Sequence, residues 1–190
     1  MKTFTKQSRR RKETPKKNEI KISGLGGQGI ILAGQILGRA AVYDGKNAVQ
    51  TQSYGAEARG SAAHSEVIIS NGKIGFPAVR KCDILIAMSQ TAVETHLKDL
   101  KERGLLLVDS TNVKEIPRIK ANVHKIPATE VSEKSFGKKI YANMIMLGAL
   151  TKITGILNKN AMERAIKDTL PEKTISANIQ AYKKGVRLKL

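Results

Sequence analysis

A short apolar strand leads directly into four closely spaced glycines and then into a helical pattern, all within residues 20–34. Gly24, Gly26 and Gly29 have the G-x-G-x-x-G spacing of a tight strand-to-helix turn, and Gly27 is the fourth glycine. Such a turn can bind a phosphate, because the first amides of the helix lie at the positive end of its dipole. The same glycines also suit a close turn that binds nothing, and the residues alone leave both interpretations open.

The rest of the chain alternates strand and helix patterns. Two near-continuous apolar runs, residues 83–88 and 105–109, are typical of parallel strands that are covered on both faces. The sequence therefore predicts a three-layer α/β/α fold with a mostly parallel, Rossmann-like sheet and a helical C-terminal third. The predicted strands are residues 19–23, 47–52, 65–70, 83–88, 105–109 and an edge strand at 123–126, and the predicted helices include residues 28–43, 91–102 and a last helix that starts at Pro171.

A dinucleotide-binding fold usually carries an acidic residue about 20 residues after the glycines, where it binds the ribose hydroxyls. The predicted second strand has no acidic residue, and the nearest ones, Asp44 and Glu57, lie outside it. A stand-alone Rossmann oxidoreductase domain that binds NAD(P) or FAD is therefore the alternative hypothesis rather than the first.

A small polar loop follows the second strand and holds one aromatic, one acidic and one basic side chain: Tyr54, Glu57 and Arg59. Loops at the carboxyl ends of strands are where α/β proteins bind ligands and partners, although such side chains can also simply be solvated. Three other polar residues after strand ends are interpreted first as helix caps and turn formers, namely Ser89, Asp109 and Thr111.

The formal net charge is +18, and residues 1–18 alone hold eight Lys or Arg and one Glu. This segment has no apolar periodicity and is predicted to be a disordered basic tail before a single domain at residues 19–190. Nucleic-acid binding is only a third hypothesis, because stacking aromatics should be interleaved with the basic residues. The chain has no Trp, and its three Phe and four Tyr are scattered.

Several classes of site are not expected. The single Cys82 cannot supply the about four thiolates of an iron–sulfur cluster, and it is interpreted as a small buried residue. The three histidines, His64, His96 and His124, show no metal-ligand spacing, so we predict no metal site and no catalytic residue. No apolar run reaches the about 18 residues of a membrane span, and no signal peptide is apparent, so a cytoplasmic chain without membrane contact is expected.

Five motifs in order resemble the gamma subunit of 2-oxoacid:ferredoxin oxidoreductases, over about residues 19–185. The segment Val-Gln-Thr-Gln-Ser-Tyr-Gly-Ala-Glu-Ala-Arg-Gly, residues 49–60, is most similar to that of the 2-oxoglutarate, succinyl-CoA-forming type. The next residue is Ser61, where the family usually has a glycine. The five are the glycine turn through Ile30, the loop Gln-Ser-Tyr-Gly-x-Glu-x-Arg-Gly, the strand Val67 to Ser70, the segment Asp83 to Gln90 and the helix start Ala142-Asn143-Met144.

This resemblance implies a complex that oxidatively decarboxylates a 2-oxoacid, transfers the acyl group to coenzyme A and reduces ferredoxin. Thiamine diphosphate, magnesium and iron–sulfur clusters are then expected on partner subunits. These partners are alpha and beta subunits that carry the thiamine, with a ferredoxin-like delta subunit as a further candidate. The isolated chain is expected to be inactive.

Coenzyme A is the candidate ligand of this chain, because its pyrophosphate and ribose phosphate suit a glycine turn and basic residues without needing a ribose-binding acid. The alternative is that the same loops form only a subunit interface. The residues predicted to bind the cofactor are Gly24, Gly26, Gly27, Gln28, Gly29, Ser53, Tyr54, Glu57, Arg59 and Asn143.

Overall fold

The computed structural model describes residues 16–54 and 62–189. Within them, six strands form one sheet, and the predicted α/β/α fold is confirmed. The strands are β1 (Lys17–Leu25), β2 (Asn47–Tyr54), β3 (Ala62–Ser70), β4 (Cys82–Ala87), β5 (Leu100–Asp109) and β6 (Asn122–Ile126). The α-helices are α1 (Ile30–Tyr43), α2 (Gln90–His96), α3 (Ala128–Phe136), α4 (Ala142–Thr154), α5 (Lys159–Thr169) and α6 (Glu172–Arg187).

The sheet has the strand order β2-β3-β1-β4-β5-β6, so β6 lies at an edge as predicted. The neighbours β1, β4, β5 and β6 are parallel, whereas β3 is antiparallel to both β1 and β2. The connection between β2 and β3, residues 55–61, is too short for the crossover of a dozen or more residues that a parallel pair needs. All described strands except β3 therefore end at the same edge of the sheet, which we call the carboxyl edge.

Alternate residues of the strands pack on opposite faces of the sheet, as their period of two requires. Ile84 and Ile86 face a large core that is completed by α1, α3, α4, α5 and α6, and we call this side the thick face. Leu85 and Ala87 face a smaller core that includes α2 and the segments around Val79 and Val113. This second side is called the thin face, and the two helical layers are thus unequal.

On the thick face, α4 and α6 cross at two glycines with their backbones in contact. A Cβ atom at Gly148 would lie 2.2 Å from the Tyr182 carbonyl oxygen, and one at Gly185 would lie 2.1 Å from the Ile145 oxygen. Distances this short leave no room for a side chain at either of these two positions. The crossing therefore fixes the position of α4, whose first turn reaches the carboxyl edge.

The structure corrects the predicted start of the first strand and of the first helix. β1 begins at Lys17, because the long antiparallel β3 pairs Lys17 with Ser70, so the predicted tail boundary at residue 18 falls inside the strand. The expected disorder of residues 1–15 lies outside the described residues. α1 begins at Ile30 rather than residue 28, since Gly29 has a left-handed backbone and caps the helix.

The predicted helix at residues 91–102 was too long. α2 ends at His96, a single 3₁₀ turn covers Leu97–Asp99, and β5 begins at Leu100. The strand begins this early because Leu100 pairs with Cys82 of β4, and Lys101, the next residue, makes ion pairs of 2.8 Å with Glu19 and with Asp83. Other boundaries moved less: β2 extends to residue 54, β3 starts at residue 62, and Pro171 is the N-cap of α6 rather than its first residue. The apolar pattern over residues 140–157 predicts a longer helix than α4, which covers residues 142–154.

Candidate functional site

The glycine turn, residues 24–29, connects β1 to α1 at the carboxyl edge. Gly27 has a φ angle of 94° and Gly29 one of 69°, which are left-handed values that glycine adopts without steric cost. Gly26 and Gly27 are exposed, and a Cβ atom at Gly27 would meet no atom of the described residues within 4 Å. The space in front of Gly27 is therefore open to a ligand or to a partner chain.

Three amides of this turn are available to an anion. Among the residues that the structure describes, the N–H groups of Gly26, Gly27 and Gly29 have no acceptor, whereas the Gln28 N–H donates to the Leu25 oxygen at 3.1 Å. The first turn of α1 has no side-chain cap and no acidic residue. Because α1 has 14 residues, its dipole adds positive potential at these free amides. The turn can thus bind a phosphate or a similar anion.

The Gln28 side chain braces the turn from within. Its Oε1 accepts a hydrogen bond from the Leu25 N–H at 2.7 Å, and its Nε2 donates to the Met88 oxygen at 2.9 Å, just after β4. Gly24 makes room for this side chain, since a Cβ atom there would lie 2.4 Å from Gln28 Oε1. Both polar atoms of the Gln28 side chain therefore have partners within the chain.

Asn143, at the start of α4, braces the other end of the turn. Its side chain is buried, and its Nδ2 donates to the Gly29 oxygen at 3.1 Å while its Oδ1 accepts from the Met144 N–H at 2.8 Å. A Cβ atom at Gly29 would lie 2.2 Å from Asn143 Nδ2, so this contact requires a glycine. Asn143 is thus a buried amide whose two polar atoms are satisfied by backbone groups.

The predicted loop residues lie at the same edge as far as the structure describes them. Ser53 and Tyr54 end β2 and are exposed, Tyr54 with 63% of its surface. Glu57 and Arg59 lie outside the described residues. Ala62, where the chain resumes, is paired with Leu25 at the start of the glycine turn. The start of β3, which follows the loop in the sequence, therefore lies directly beside the turn.

The other polar residues at the carboxyl edge serve the fold, as predicted. Ser89 Oγ accepts from the Ala92 N–H at 3.2 Å and caps α2. Buried Asp109 accepts from the Thr111 N–H at 3.2 Å and from Thr129 Oγ1 at 2.5 Å, which joins the end of β5 to the start of α3. These side chains position helices and are not added to the candidate site.

The thin face contains a cluster of titratable side chains that the sequence reasoning missed. Lys21, only 5% exposed, places its Nζ 2.9 Å from Asp99 Oδ2 and 3.1 Å from Glu66 Oε1. The rings of His64 and His96 lie 5.1 Å apart, and His96 Nδ1 is 3.2 Å from Asp99 Oδ2. Lys21 faces Glu66 only in the antiparallel register of β1 and β3, so no local pattern reveals the pair. We call these five residues the polar cluster.

Opposite charges outweigh burial in the polar cluster. Burial raises the pKa of Asp99, but hydrogen bonds with Lys21 and His96 outweigh this effect and hold that pKa below its ordinary value. Burial lowers the pKa of Lys21, but Asp99 and Glu66 reverse the shift and raise it. Burial and the neighbouring His96 and Lys21 lower the pKa of His64, which is therefore neutral at neutral pH. The cluster is thus a buried ion network with a neutral histidine at its end.

Cys82 and the histidines form no metal centre within the described ranges, 16–54 and 62–189. Cys82 is fully buried, and burial raises the pKa of its thiol to about 12. A thiol with so high a pKa has almost no reactive thiolate at neutral pH, so the interpretation of Cys82 as a buried packing residue is confirmed. In the same part of the chain, no helix is long and apolar enough to cross a membrane.

The strand order also argues against a nicotinamide or flavin dinucleotide. In a Rossmann fold the second strand lies beside the first, so that an acid at its end reaches the ribose. Here β3 lies between β1 and β2, which places the end of β2 about 10 Å from that of β1. The alternative hypothesis therefore lacks both the acidic residue and the strand that would position it.

A model of the pyruvate ferredoxin/flavodoxin oxidoreductase family matches residues 19–188. The chain belongs to this family. It is 51% identical over 172 residues to a Methanocaldococcus jannaschii protein named 2-oxoglutarate synthase subunit KorC, covering 89% of this chain and 92% of that protein. A protein of the same name from Methanothermobacter thermautotrophicus is 48% identical over 179 residues, covering 90% of this chain and 95% of the relative.

Solved structures of the family share the fold. The gamma subunit of a keto/oxoacid ferredoxin oxidoreductase from Geobacter sulfurreducens superposes with a TM-score of 0.78 at 44% identity, covering 88% of this chain and 95% of that chain. The 2-oxoglutarate:ferredoxin oxidoreductase of Magnetococcus marinus gives a TM-score of 0.81 at 24% identity, covering 90% of this chain and 30% of the longer one. The likeness to the second structure is one of fold alone. The resemblance to gamma subunits of 2-oxoacid:ferredoxin oxidoreductases is confirmed.

Proposed function

We propose that this chain is the gamma subunit of a 2-oxoglutarate:ferredoxin oxidoreductase and that its glycine turn contacts coenzyme A. The complex oxidatively decarboxylates 2-oxoglutarate, forms succinyl-CoA and passes the electrons to ferredoxin. The observation that carries this function is the 51% identity with a 2-oxoglutarate synthase subunit over 89% of this chain. The contact with coenzyme A is supported by three amides of the turn at the carboxyl edge that have no acceptor among residues 16–54 and 62–189.

The chemistry of the complex is divided among its subunits. Alpha and beta subunits bind thiamine diphosphate and magnesium, and iron–sulfur clusters lie on partner chains, including a ferredoxin-like delta subunit. The single Cys82 is buried and cannot supply the about four thiolates that such a cluster needs. The complex operates in the cytoplasm.

The coenzyme A contact assigns separate groups to the two phosphate regions of the ligand. The amides of Gly26, Gly27 and Gly29 bind the pyrophosphate at the start of α1, where the helix dipole favours an anion. Arg59 pairs with the ribose phosphate, because guanidinium binds phosphate with strong charge-assisted hydrogen bonds. Ser53 and Tyr54, which end β2, flank this contact, and Glu57 follows them three positions later in the sequence.

Reconstitution with its partners tests the proposed function. The purified chain alone is expected to show no 2-oxoacid-dependent reduction of ferredoxin, because it has no thiamine chemistry of its own. Adding the alpha, beta and delta subunits is expected to give reduction that requires both 2-oxoglutarate and coenzyme A. Activity of the isolated chain, or a complex that uses pyruvate in preference to 2-oxoglutarate, would contradict the proposal.

Arg59→Ala tests the coenzyme A contact in the reconstituted complex. Losing one charge-assisted hydrogen bond costs about 1.5 to 3 kcal/mol, so the KM for coenzyme A is expected to rise about tenfold or more. The KM for 2-oxoglutarate should not change. Arg80→Ala is the matched control, because Arg80 is exposed and lies over the Phe76 ring at 5.5 Å.

Two other outcomes of the Arg59→Ala experiment are informative. If the subunits fail to assemble, Arg59 belongs to a subunit interface, which is the alternative role of this loop. If assembly and both KM values are unchanged, Arg59 is a solvated side chain, and the contact with coenzyme A must be reassigned.

A further inference from the structure

Leu25 and Gln28 are joined by two hydrogen bonds that close the turn on itself. The Gln28 backbone N–H donates to the Leu25 oxygen at 3.1 Å, and the Leu25 N–H donates to the Gln28 side-chain Oε1 at 2.7 Å. The second polar atom of that side chain, Nε2, donates to the Met88 oxygen at 2.9 Å. One amide side chain thus ties the turn to itself and to the adjacent strand end.

These bonds also direct the free amides. In a planar trans peptide, the C=O and N–H groups point in opposite directions. Since the Leu25 oxygen is held toward Gln28, the Gly26 N–H of the same peptide points away from Gln28. The Gly29 oxygen accepts from Asn143 Nδ2 at 3.1 Å and from the Ala33 N–H at 3.0 Å, so the Ile30 N–H of the same peptide points away from both donors. The two amide side chains therefore lie behind the groups that bind the anion.

The motif requires glycine at its different positions for different structural reasons. A Cβ atom at Gly24 would lie 2.4 Å from Gln28 Oε1, so Gly24 leaves room for that side chain. A Cβ atom at Gly29 would lie 2.2 Å from Asn143 Nδ2, so Gly29 leaves room for Asn143. At Gly27, in contrast, the absent Cβ atom faces open space among the described residues. The spacing that resembles a ligand motif is thus largely set by two intramolecular braces.

We infer that Gln28 and Asn143 are positioning residues, which preset the glycine turn for coenzyme A without touching the ligand. The inference rests on the proposed coenzyme A contact and changes the role that the sequence assigned to both side chains. Gln28 holds the turn against β4, and Asn143 holds it against α4. The amides of Gly26, Gly27 and Gly29, which have no acceptor among the described residues, make the contact itself.

Gln28→Met tests the brace, because methionine has a similar length but cannot make either hydrogen bond. Two measurements are needed: hydrogen exchange of the Leu25 amide in the full chain, and steady-state kinetics of the reconstituted complex. We expect Leu25 exchange to accelerate about tenfold and the KM for coenzyme A to rise about fivefold, as the loss of a buried hydrogen bond allows. The KM for 2-oxoglutarate should stay constant, which a general loss of structure would not produce.

Gln28→Glu adds a pH readout. A carboxylate keeps the acceptor for the Leu25 N–H but cannot donate to the Met88 oxygen, whereas a protonated carboxyl does both. The ratio of coenzyme A KM values, variant over wild type, is therefore expected to be larger at about pH 8 than at about pH 6, nearer the titration range of a partly buried glutamate. An equal ratio at both pH values would count against the bond to Met88.

A direct contact would give a different result. If Gln28→Met raises the KM for coenzyme A but leaves Leu25 exchange unchanged, Gln28 touches the ligand and the positioning role is wrong. If exchange accelerates and the KM is unchanged, the brace exists but does not serve coenzyme A, which also overturns the inference.

Gly27→Ala separates failure of this inference from failure of the proposed function. The added methyl group lies on the open side of the turn and should raise the KM for coenzyme A, whereas Gly45→Ala, at a similar φ of 73° with open surroundings, should not. A response to Gly27→Ala without a response to Gln28→Met rejects only the positioning role. No response to either variant rejects the coenzyme A contact as well.

Discussion

Gly29→Val is expected to lower the free energy of unfolding by about 2 to 5 kcal/mol. A residue with a Cβ atom pays about 1 to 2 kcal/mol in the left-handed region, and the φ angle of Gly29 is 69°. Overpacking a filled site costs a further 1 to 3 kcal/mol or so, and the new Cβ atom would lie 2.2 Å from Asn143 Nδ2. Chemical denaturation of the full chain measures the change.

Gly45→Val is the matched control for this prediction. Gly45 has a φ angle of 73° and no atom of the described residues within 4 Å of its absent Cβ atom, so the variant carries the backbone cost alone, about 1 to 2 kcal/mol. The difference between the two variants then measures the contact between the turn and α4. Equal losses of stability would show that Asn143 does not require a glycine at residue 29.

Lys21→Met is expected to lower the free energy of unfolding by about 3 kcal/mol, because it leaves two partly buried carboxylates without the buried cation that pairs with both. The side chain of Lys21 is 7% exposed, and those of Glu66 and Asp99 are 15% and 21% exposed. Lys101→Met is the control, since Lys101 also contacts two carboxylates at 2.8 Å but is 39% exposed. Its loss should be about 1 kcal/mol or less, as for surface ion pairs. A similar cost for both variants would contradict the role of burial.

The stability lost in Lys21→Met should also depend on pH. The folded-state pKa of Asp99 is held below its ordinary value of 3.8. Its contribution to stability is therefore complete above that ordinary value and is lost as the pH falls through the lower folded-state pKa. In Lys21→Met the pKa of Asp99 is no longer held down by the lysine, so the acid-induced loss should be smaller than in the wild type. Denaturation at a series of acidic pH values tests this.

Local sequence patterns predicted those helices, strands and turns whose form depends mainly on residues close together in the sequence. The apolar period of α1 put Ile30, Ala33 and Leu37 on a buried face, and all three are buried. The continuous apolar runs identified β4 and the end of β5 as strands covered on both faces. The glycine spacing located the strand-to-helix turn, because the turn needs a left-handed backbone at Gly29, which glycine adopts without steric cost.

Contacts between distant parts of the chain could not be predicted in this way. Asn143 and Gly29 are separated by 114 positions, and nothing near either residue indicates that they meet. The polar cluster depends on the antiparallel direction of β3, which brings Lys21 opposite Glu66. The pairing of Leu100 with Cys82, which starts β5 where a helix was predicted, is likewise a contact between distant residues.

The position of β1 in the sheet has a consequence for synthesis of the chain on the ribosome. β1 precedes the other described strands in sequence, yet it lies between β3 and β4 and pairs with both. Lys21 reaches Asp99, 78 positions later, which takes a ribosome roughly 4 to 16 s at about 5 to 20 residues per second. During this interval the thick-face core that buries Ile20 and Ile22 is incomplete. The nascent chain thus presents an apolar strand to chaperones until β4 and the residues that follow it have emerged.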